Sequence, residues 1–156
     1  MVRQTDEVVK GDPVSELNPP LLMFIAYRHA EAQIMAAMVA AGFDDVTLAQ
    51  ARVFARLGPD GARLTELAEQ AQITKQSVGF LVDQLEKTGY VERVPDPTDA
   101  RARLVRIAPR GRAAQEQARK AEAEIVREWE QHLGKKRMRD LHAALTALRE
   151  ITDPWA

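Results

Sequence analysis

Cysteine does not occur in the 156-residue sequence, which excludes disulfides, thiolate metal sites and cysteine redox switches. We also expect no secretion signal, because residues 1–20, MVRQTDEVVKGDPVSELNPP, carry charges where a signal peptide needs an apolar core. No stretch approaches the roughly 18 consecutive apolar residues of a membrane span. We therefore expect a soluble, cytoplasmic protein that does not contact a membrane.

Signatures of common enzyme classes are absent too. The motifs GxGxxG, GxxxxGK, HExxH and GxSxG do not occur. The histidines His29, His132 and His142 are scattered over the outer parts of the chain, which disfavours a shared metal site. The carboxylates of residues 116–130, EQARKAEAEIVREWE, alternate with bases as on a solvated helix face. We expect no enzymatic activity, no metal and no cofactor.

Charge of one sign is not in large excess, since the formal net charge is -1. The charges are nevertheless distributed unevenly along the chain. Residues 47–112 contain 11 Lys and Arg against 8 Asp and Glu, a local charge of +3, so the remainder of the chain carries -4. The central block is therefore the part of the chain best suited to contact nucleic acid.

The N-terminal part predicts an arm followed by one long helix. Residues 1–18 are polar and unpatterned, as in a flexible arm. Two prolines then open residues 19–46, in which helix formers continue to Gly42. This helix is apolar almost all round, and a chain of this size can rarely bury such a helix alone. We expect the helix to pack between subunits.

The C-terminal part, residues 109–156, predicts two more helices separated by Gly134. The first carries apolar residues at four-residue spacing, ending with Trp129 and Leu133, and the second has a similar stripe from Met138 onward. Together with the N-terminal helix, these helices are expected to form the dimerisation lobe of a homodimer.

Residues 47–108 contain the pattern of three short helices. A capping box at Thr47 starts the first, which breaks at the Gly-Pro-Asp-Gly run of residues 58–61. Thr65 can cap the second, ELAEQA, and Thr74 can cap the third, KQSVGFLVDQLEKT, which ends at a glycine. Two short helices joined by a tight turn predict a helix-turn-helix.

A β-hairpin is predicted next. Tyr90–Val94 and Arg103–Ile107 are rich in β-formers and lie around a long charged tip, DPTDARAR. Hairpin loops usually have two to five residues, so this tip is longer and more basic than closing a sheet requires. The expected fold is therefore mainly α with a small β-hairpin wing (α+β), a winged helix-turn-helix flanked by the helices of the dimerisation lobe. The tip is expected to contact a partner.

The third short helix has two distinct faces. Its core face, at spacings i, i+3, i+4 and i+7, consists of Val78, Leu81, Val82 and Leu85. A recognition helix reads bases chiefly with its N-terminal turns in the major groove. The predicted DNA contacts of this helix are Thr74, beside a phosphate, and Lys75, Gln76, Ser77, Gly79 and Phe80.

Phe80 is an apolar ring on the face opposite the core. We hypothesise that it packs on thymine methyl groups and gives a preference for T at one operator position. Alternatively, a rotated helix would place the ring against the wing, or the ring is simply exposed.

The wing has basic residues at alternate positions. Asp99 lies two residues before Arg101, close enough to hold its guanidinium, and a held arginine at a hairpin tip can enter a narrow minor groove. Arg103 and Arg93 are expected to touch phosphates. The alternative is that these residues are ordinary solvated loop charges.

Residues 66–111, ELAEQAQITKQSVGFLVDQLEKTGYVERVPDPTDARARLVRIAPRG, resemble the DNA-binding core of the MarR (multiple-antibiotic-resistance regulator) family, whose wing carries Asp-x-Arg, here Asp99-Ala100-Arg101. The resemblance covers both helices, the wing and Gly111, and the flanking helices match in number and order. It implies a transcription regulator, expected to be a repressor, that binds a pseudo-palindromic DNA operator as a homodimer. Many relatives carry a polar or basic residue where Phe80 stands.

The resemblance also implies a small effector, often aromatic and anionic, bound in a cleft between the dimerisation lobe and the winged helix. Residues that could line such a cleft are Tyr27, Arg28, His29, Phe54 and Trp129, although each is also an ordinary packing residue. The lack of cysteine excludes the thiol-based oxidant sensing found in the family. The alternative function is a protein-interaction module, which an acidic recognition face or a wing without Asp-x-Arg would have favoured.

Overall fold

The computed structural model describes residues 17–153. All but the last two residues of the predicted N-terminal arm therefore lie outside the described residues. The elements are α1 (Pro19–Ala40), α2 (Leu48–Phe54), α3 (Leu64–Ala71), α4 (Lys75–Lys87), β1 (Val91–Asp96), β2 (Asp99–Ile107), α5 (Pro109–Leu133) and α6 (Lys135–Thr152). The mainly helical fold with one antiparallel hairpin confirms the predicted fold class. Within these residues no helix is both long and apolar enough to cross a bilayer.

The long helix α1 has the ends that its sequence predicts. The Asn18 side chain accepts a hydrogen bond from the Leu21 N–H at 3.0 Å, and the first helical position is proline. After the helix, Gly42 has a φ of +89°. Of the residues of α1, only Glu31 and Met38 are buried in the described chain. Most of the apolar surface of α1 is therefore uncovered.

The start of α3 differs from the prediction. Its N-cap is Arg63, not Thr65, because Arg63 has an extended backbone and its N–H donates to the Glu66 carboxylate at 2.8 Å. Thr65 lies inside the first turn. By contrast, the capping box at Thr47 is confirmed, with the Thr47 N–H donating to Gln50 Oε1 at 2.8 Å.

The core of the winged helix is formed where α2, α3, α4 and the hairpin meet. Leu67 of α3 and Val78, Val82 and Leu85 of α4 are almost completely buried, and Leu81 is half-buried against them. This confirms the predicted core face of α4 and fixes α3 and α4 relative to each other.

The base of the wing is joined to the segment before α3, a contact that the sequence did not reveal. Ala62 pairs with Val105 of β2, with N···O distances of 3.0 and 2.8 Å. The neighbouring Gly61 has a φ of +80°, and a Cβ there would lie 2.6 Å from the Val105 carbonyl oxygen. Only glycine allows this close approach of the two backbones.

The tip of the hairpin is tighter than predicted. Both strands extend into the segment expected to be the tip, and Asp96 pairs with Asp99 across residues 97–98. The ladder is irregular there, since the preceding pair is Pro95 with Arg103. Residues 100–102 consequently have no partner on β1 in the register of the described hairpin. The eight-residue tip is thus a short turn followed by a bulge, which contains Arg101.

The helices α5 and α6 confirm the predicted pair separated by Gly134. The first turn of α5 packs against the start of the wing, and a Cβ at Gly111 would lie 2.1 Å from the Tyr90 carbonyl oxygen. Further along, α5 packs against α1 and buries Ala114, Ala121 and Ile125. No residue of α6 is buried in the described chain.

Candidate nucleic-acid interface

The N-terminus of α4 is rigidly capped and open to solvent. Thr74 Oγ1 accepts the Ser77 N–H at 3.1 Å, and the hydroxyls of these two residues share a hydrogen bond of 2.8 Å. Lys75 and Gln76 are exposed beside them. The first N–H groups of a helix lack intrahelical acceptors, so this end can receive a phosphate while the side chains reach base edges.

Phe80 and Gly79 extend this exposed surface by one turn. Phe80 is 63% exposed and does not belong to the hydrophobic core of the described residues. A Cβ at Gly79 would meet nothing within 4 Å, so packing does not require glycine at this position. The structure thus brings the six predicted contacts of α4 to one accessible end of the helix.

Arg93 forms ion pairs within the protein. One terminal nitrogen lies 2.5 Å from Asp83 Oδ1, and the other contacts Glu86 Oε2. The Arg93 N–H also donates to Glu86 Oε1 at 3.0 Å. These contacts clamp β1 to α4 and favour a structural role, because a phosphate would have to displace two carboxylates. Phosphate contact by Arg93 stays a prediction that this geometry does not support.

The two wing arginines, by contrast, are unpaired. Arg101 and Arg103 are exposed and have no acidic partner among residues 17–153. Asp99 does not hold the Arg101 guanidinium as expected. Its Oδ1 accepts the backbone N–H of Arg101 at 3.0 Å, because an aspartate readily bonds the backbone two residues ahead. Asp99 thus shapes the bulge and leaves the Arg101 cation available.

The turn of the wing is tied to the start of α3 by residues that the sequence analysis missed. Asp96 Oδ2 accepts from Arg63 Nε at 2.7 Å, and its Oδ1 accepts from the Thr98 N–H at 2.8 Å and the Thr98 hydroxyl at 2.7 Å. The Asp96 side chain is only 5% exposed. These hydrogen bonds from Thr98, together with the Arg63 guanidinium, lower the pKa of Asp96 to about 2.

The five predicted effector residues do not converge on one site. Tyr27 and Phe54 line a cavity of about 380 Å³ between α1, α2 and α5. Arg28 and His29 do not line this cavity. Arg28 lies over the Phe24 ring at 5.8 Å, and His29 hydrogen-bonds Gln33 at 2.8 Å. Trp129 lines a separate, open depression of about 660 Å³ between α1, α5 and α6.

A buried carboxylate in the wall of the 380 Å³ cavity was also missed. Glu31 accepts two hydrogen bonds from Arg52, at 2.8 and 3.0 Å, and one from the Tyr27 hydroxyl at 3.1 Å. The bonds from Arg52 lower the pKa of Glu31, so the carboxylate is ionised and paired. The sequence signal for this site was that Glu31 is the one acidic residue of α1.

Comparison with known proteins agrees with the geometry. Residues 44–102 match the model of the MarR family. The fold is that of the MarR family. Apo wild-type MarR from E. coli has a TM-score of 0.68 and 21% identity, covering 85% of this chain and 96% of that chain. The sequence matches no curated protein.

Two further solved structures are similar to this chain over most of their length. The transcriptional repressor CouR, bound to a 23-mer DNA duplex, has a TM-score of 0.66 and 24% identity, covering 86% of this chain and 94% of that chain. The transcriptional regulator Tm0710 from Thermotoga maritima has a TM-score of 0.61 and 24% identity, with coverages of 86% and 92%. The resemblance seen in the central residues is thus confirmed, and the MarR fold extends to the flanking helices.

Proposed function

We propose that this protein is a sequence-specific, DNA-binding transcription regulator that acts as a homodimer, represses its targets and responds to a small effector. The observation that carries the proposal is the arrangement of cations in the winged helix. Arg63, Arg93 and Arg106 are each paired with a carboxylate, whereas Arg101 and Arg103 at the wing are exposed and unpaired among the described residues. Unpaired arginines beside a capped, open recognition helix suit a DNA backbone and its minor groove.

In the proposed complex α4 enters the major groove with its N-terminal end. Thr74 and the free N–H groups contact a phosphate, while Lys75, Gln76, Ser77 and Phe80 face base edges. Arg101 enters the minor groove, and Arg103 contacts a phosphate. The DNA-bound state of CouR, a protein of the same fold, supports DNA as the partner.

The homodimer rests on apolar surface that the single chain leaves uncovered. Phe24, Ile25 and Tyr27 of α1 are each at least half exposed, and Ile151 of α6 is 83% exposed. The 18-residue helix α6 has no fully buried residue, so its contacts within the described chain stabilise it little. A second copy covering α1 and α6 removes this surface from water and places two recognition helices for a pseudo-palindromic operator.

The effector is proposed to bind in the 380 Å³ cavity. Its volume is within the range of small-molecule sites, and Ile34, Met35 and Phe54 supply an apolar wall for an aromatic ring. Arg119 also lines the cavity, is exposed and has no acidic partner among residues 17–153, so it can pair with an anionic group. Tyr90 lines the cavity and directly precedes β1, which connects an occupant to the wing.

The deciding experiment selects binding sites from a random duplex pool and titrates the enriched duplex at several salt concentrations. We expect a palindrome with half-site centres about 10 base pairs apart and a steep salt dependence. Arg101→Ala should bind roughly 10-fold more weakly or worse, while Arg106→Ala, which removes the same charge from the same hairpin, should bind nearly normally. Salt-sensitive binding without an enriched sequence, or equal losses in both variants, would contradict the proposal and favour a protein partner.

A further inference from the structure

Two contacts join the hairpin of the wing to the segment just before α3 and to the start of α3, in addition to the Arg93 ion pairs with α4. At its base, Val105 pairs with Ala62. At its tip, Arg63 Nε donates to Asp96 Oδ2 at 2.7 Å, and its terminal nitrogen lies 2.5 Å from the same oxygen. An isolated two-stranded hairpin is only marginally stable in water, so such attachments decide where its tip lies. We call Arg63, Asp96 and Thr98 the wing latch.

The wing latch links the recognition helix to Arg101 through a continuous series of contacts. Arg63 caps α3, and α3 is fixed against α4 through the buried Leu67. Arg63 holds Asp96, and Asp96 pairs with Asp99 across the turn. Asp99 in turn accepts the Arg101 N–H at 3.0 Å. Residues 100–102 have no ladder partner in the described hairpin, so the Arg101 backbone is held by this series on one side and by the Pro95–Arg103 pair on the other.

We propose that the wing latch positions Arg101 for the minor groove, so that Arg63 and Asp96 contribute to DNA affinity without touching DNA. This inference rests on the proposed function. Arg63 and Asp96 are therefore positioning residues, and their effect must pass through Arg101.

Because Asp96 is negatively charged, its positioning effect on DNA affinity can be distinguished from its electrostatic effect. A carboxylate near DNA repels the phosphates, so removing it should by itself tighten binding. The wing latch predicts the opposite change, a loss of DNA affinity. Asp96→Asn keeps the acceptor for Thr98 but loses the ion pair with Arg63. The matched control is Glu92→Gln, which removes an acid of the same hairpin that pairs with Arg106 at 2.8 Å.

The experiment measures the affinity of each full-length variant for the duplex selected by the wild-type protein. We expect Asp96→Asn to bind roughly 5- to 10-fold more weakly, and Glu92→Gln to bind as well as or better than wild type. Arg63→Gln should lose clearly more affinity than Arg106→Gln, although both remove one positive charge. Asp96→Asn binding as tightly as Glu92→Gln, or equal losses in the two arginine variants, overturns the proposal.

A double-mutant cycle distinguishes positioning from a merely structural role. In an Arg101→Ala background, Asp96→Asn should cause almost no further loss, because the arginine that the wing latch positions is gone. Full additivity of the two losses overturns the proposal even if each single variant binds weakly. Circular dichroism spectra and melting curves of each variant serve as the control for folding. If wild type selects no duplex, or Arg101→Ala binds normally, the proposed function itself fails, which is a different result from failure of the wing latch alone.

Discussion

The Tyr90 hydroxyl donates a 2.6 Å hydrogen bond to Asp45 Oδ1, joining the start of the wing to the loop between α1 and α2. Arg110 of α5 lies over the Tyr90 ring at 4.5 Å and bonds the same carboxylate at 3.0 Å. The buried Tyr90 side chain therefore joins the winged helix to the loop after α1 and to α5. The Tyr90 hydrogen bond lowers the pKa of Asp45, and burial raises the pKa of Tyr90.

Removing this hydroxyl should destabilise the protein. Tyr90→Phe leaves Asp45 with one partner fewer, and we expect a loss of about 1–2 kcal/mol in the free energy of unfolding, measured by urea denaturation. Tyr27→Phe is the matched control, since its hydroxyl bonds Glu31 at 3.1 Å from a residue that is 55% exposed. It should cost clearly less. Equal effects of the two substitutions would argue against a special role for the Tyr90 junction.

The close approach at the base of the wing predicts a strong effect at Gly61. Gly61→Ala combines a left-handed backbone with a Cβ placed 2.6 Å from the Val105 carbonyl oxygen, so we expect a loss of at least about 2 kcal/mol in stability. Gly42→Ala has a similar φ of +89° but no atom within 4 Å of the Cβ. It should cost only about 1 kcal/mol. The comparison isolates the steric contact, and similar losses would show that backbone conformation alone accounts for both.

Phe80 should affect sequence preference without affecting stability. The side chain is 63% exposed, so Phe80→Arg should change the free energy of unfolding by less than about 0.5 kcal/mol. If the ring packs on thymine methyl groups, the variant loses its preference for T at one operator position, measured by binding to all single-base variants of the selected duplex. An unchanged base preference at every T position of the duplex would contradict this hypothesis.

The lowered pKa of Asp96 predicts a specific response to acid. The folded-state pKa of Asp96, about 2, lies below the ordinary aspartate value of 3.8, so the charged form stabilises the fold above about pH 4. This stabilisation is lost as the pH falls through the pKa of Asp96 in the folded protein. The difference in melting temperature between wild type and Asp96→Asn should be constant from about pH 7 to 5 and shrink below about pH 4. A difference that does not change with pH would contradict the assignment.

Features that depend on neighbours in sequence were predicted well. Apolar residues at helical spacing identified the core face of α4, and the threonine before Lys75 identified its cap, because both depend on residues within one or two turns. The cleft was predicted poorly. Since α1 is apolar almost all round, its sequence does not indicate that Tyr27 lines the cavity while Arg28 and His29 do not.

The order of the elements, the polar N-terminal end of α4 and the basic wing follow from the sequence alone, because local propensity and periodicity encode them. Which arginines are paired depends on the tertiary structure. Arg63 meets Asp96 across 33 positions, and Arg93 turns to Asp83 and Glu86 rather than to solvent. Such pairings depend on how separate elements dock, and an arginine at the surface has the same local sequence signal whether it binds a carboxylate or remains available for DNA.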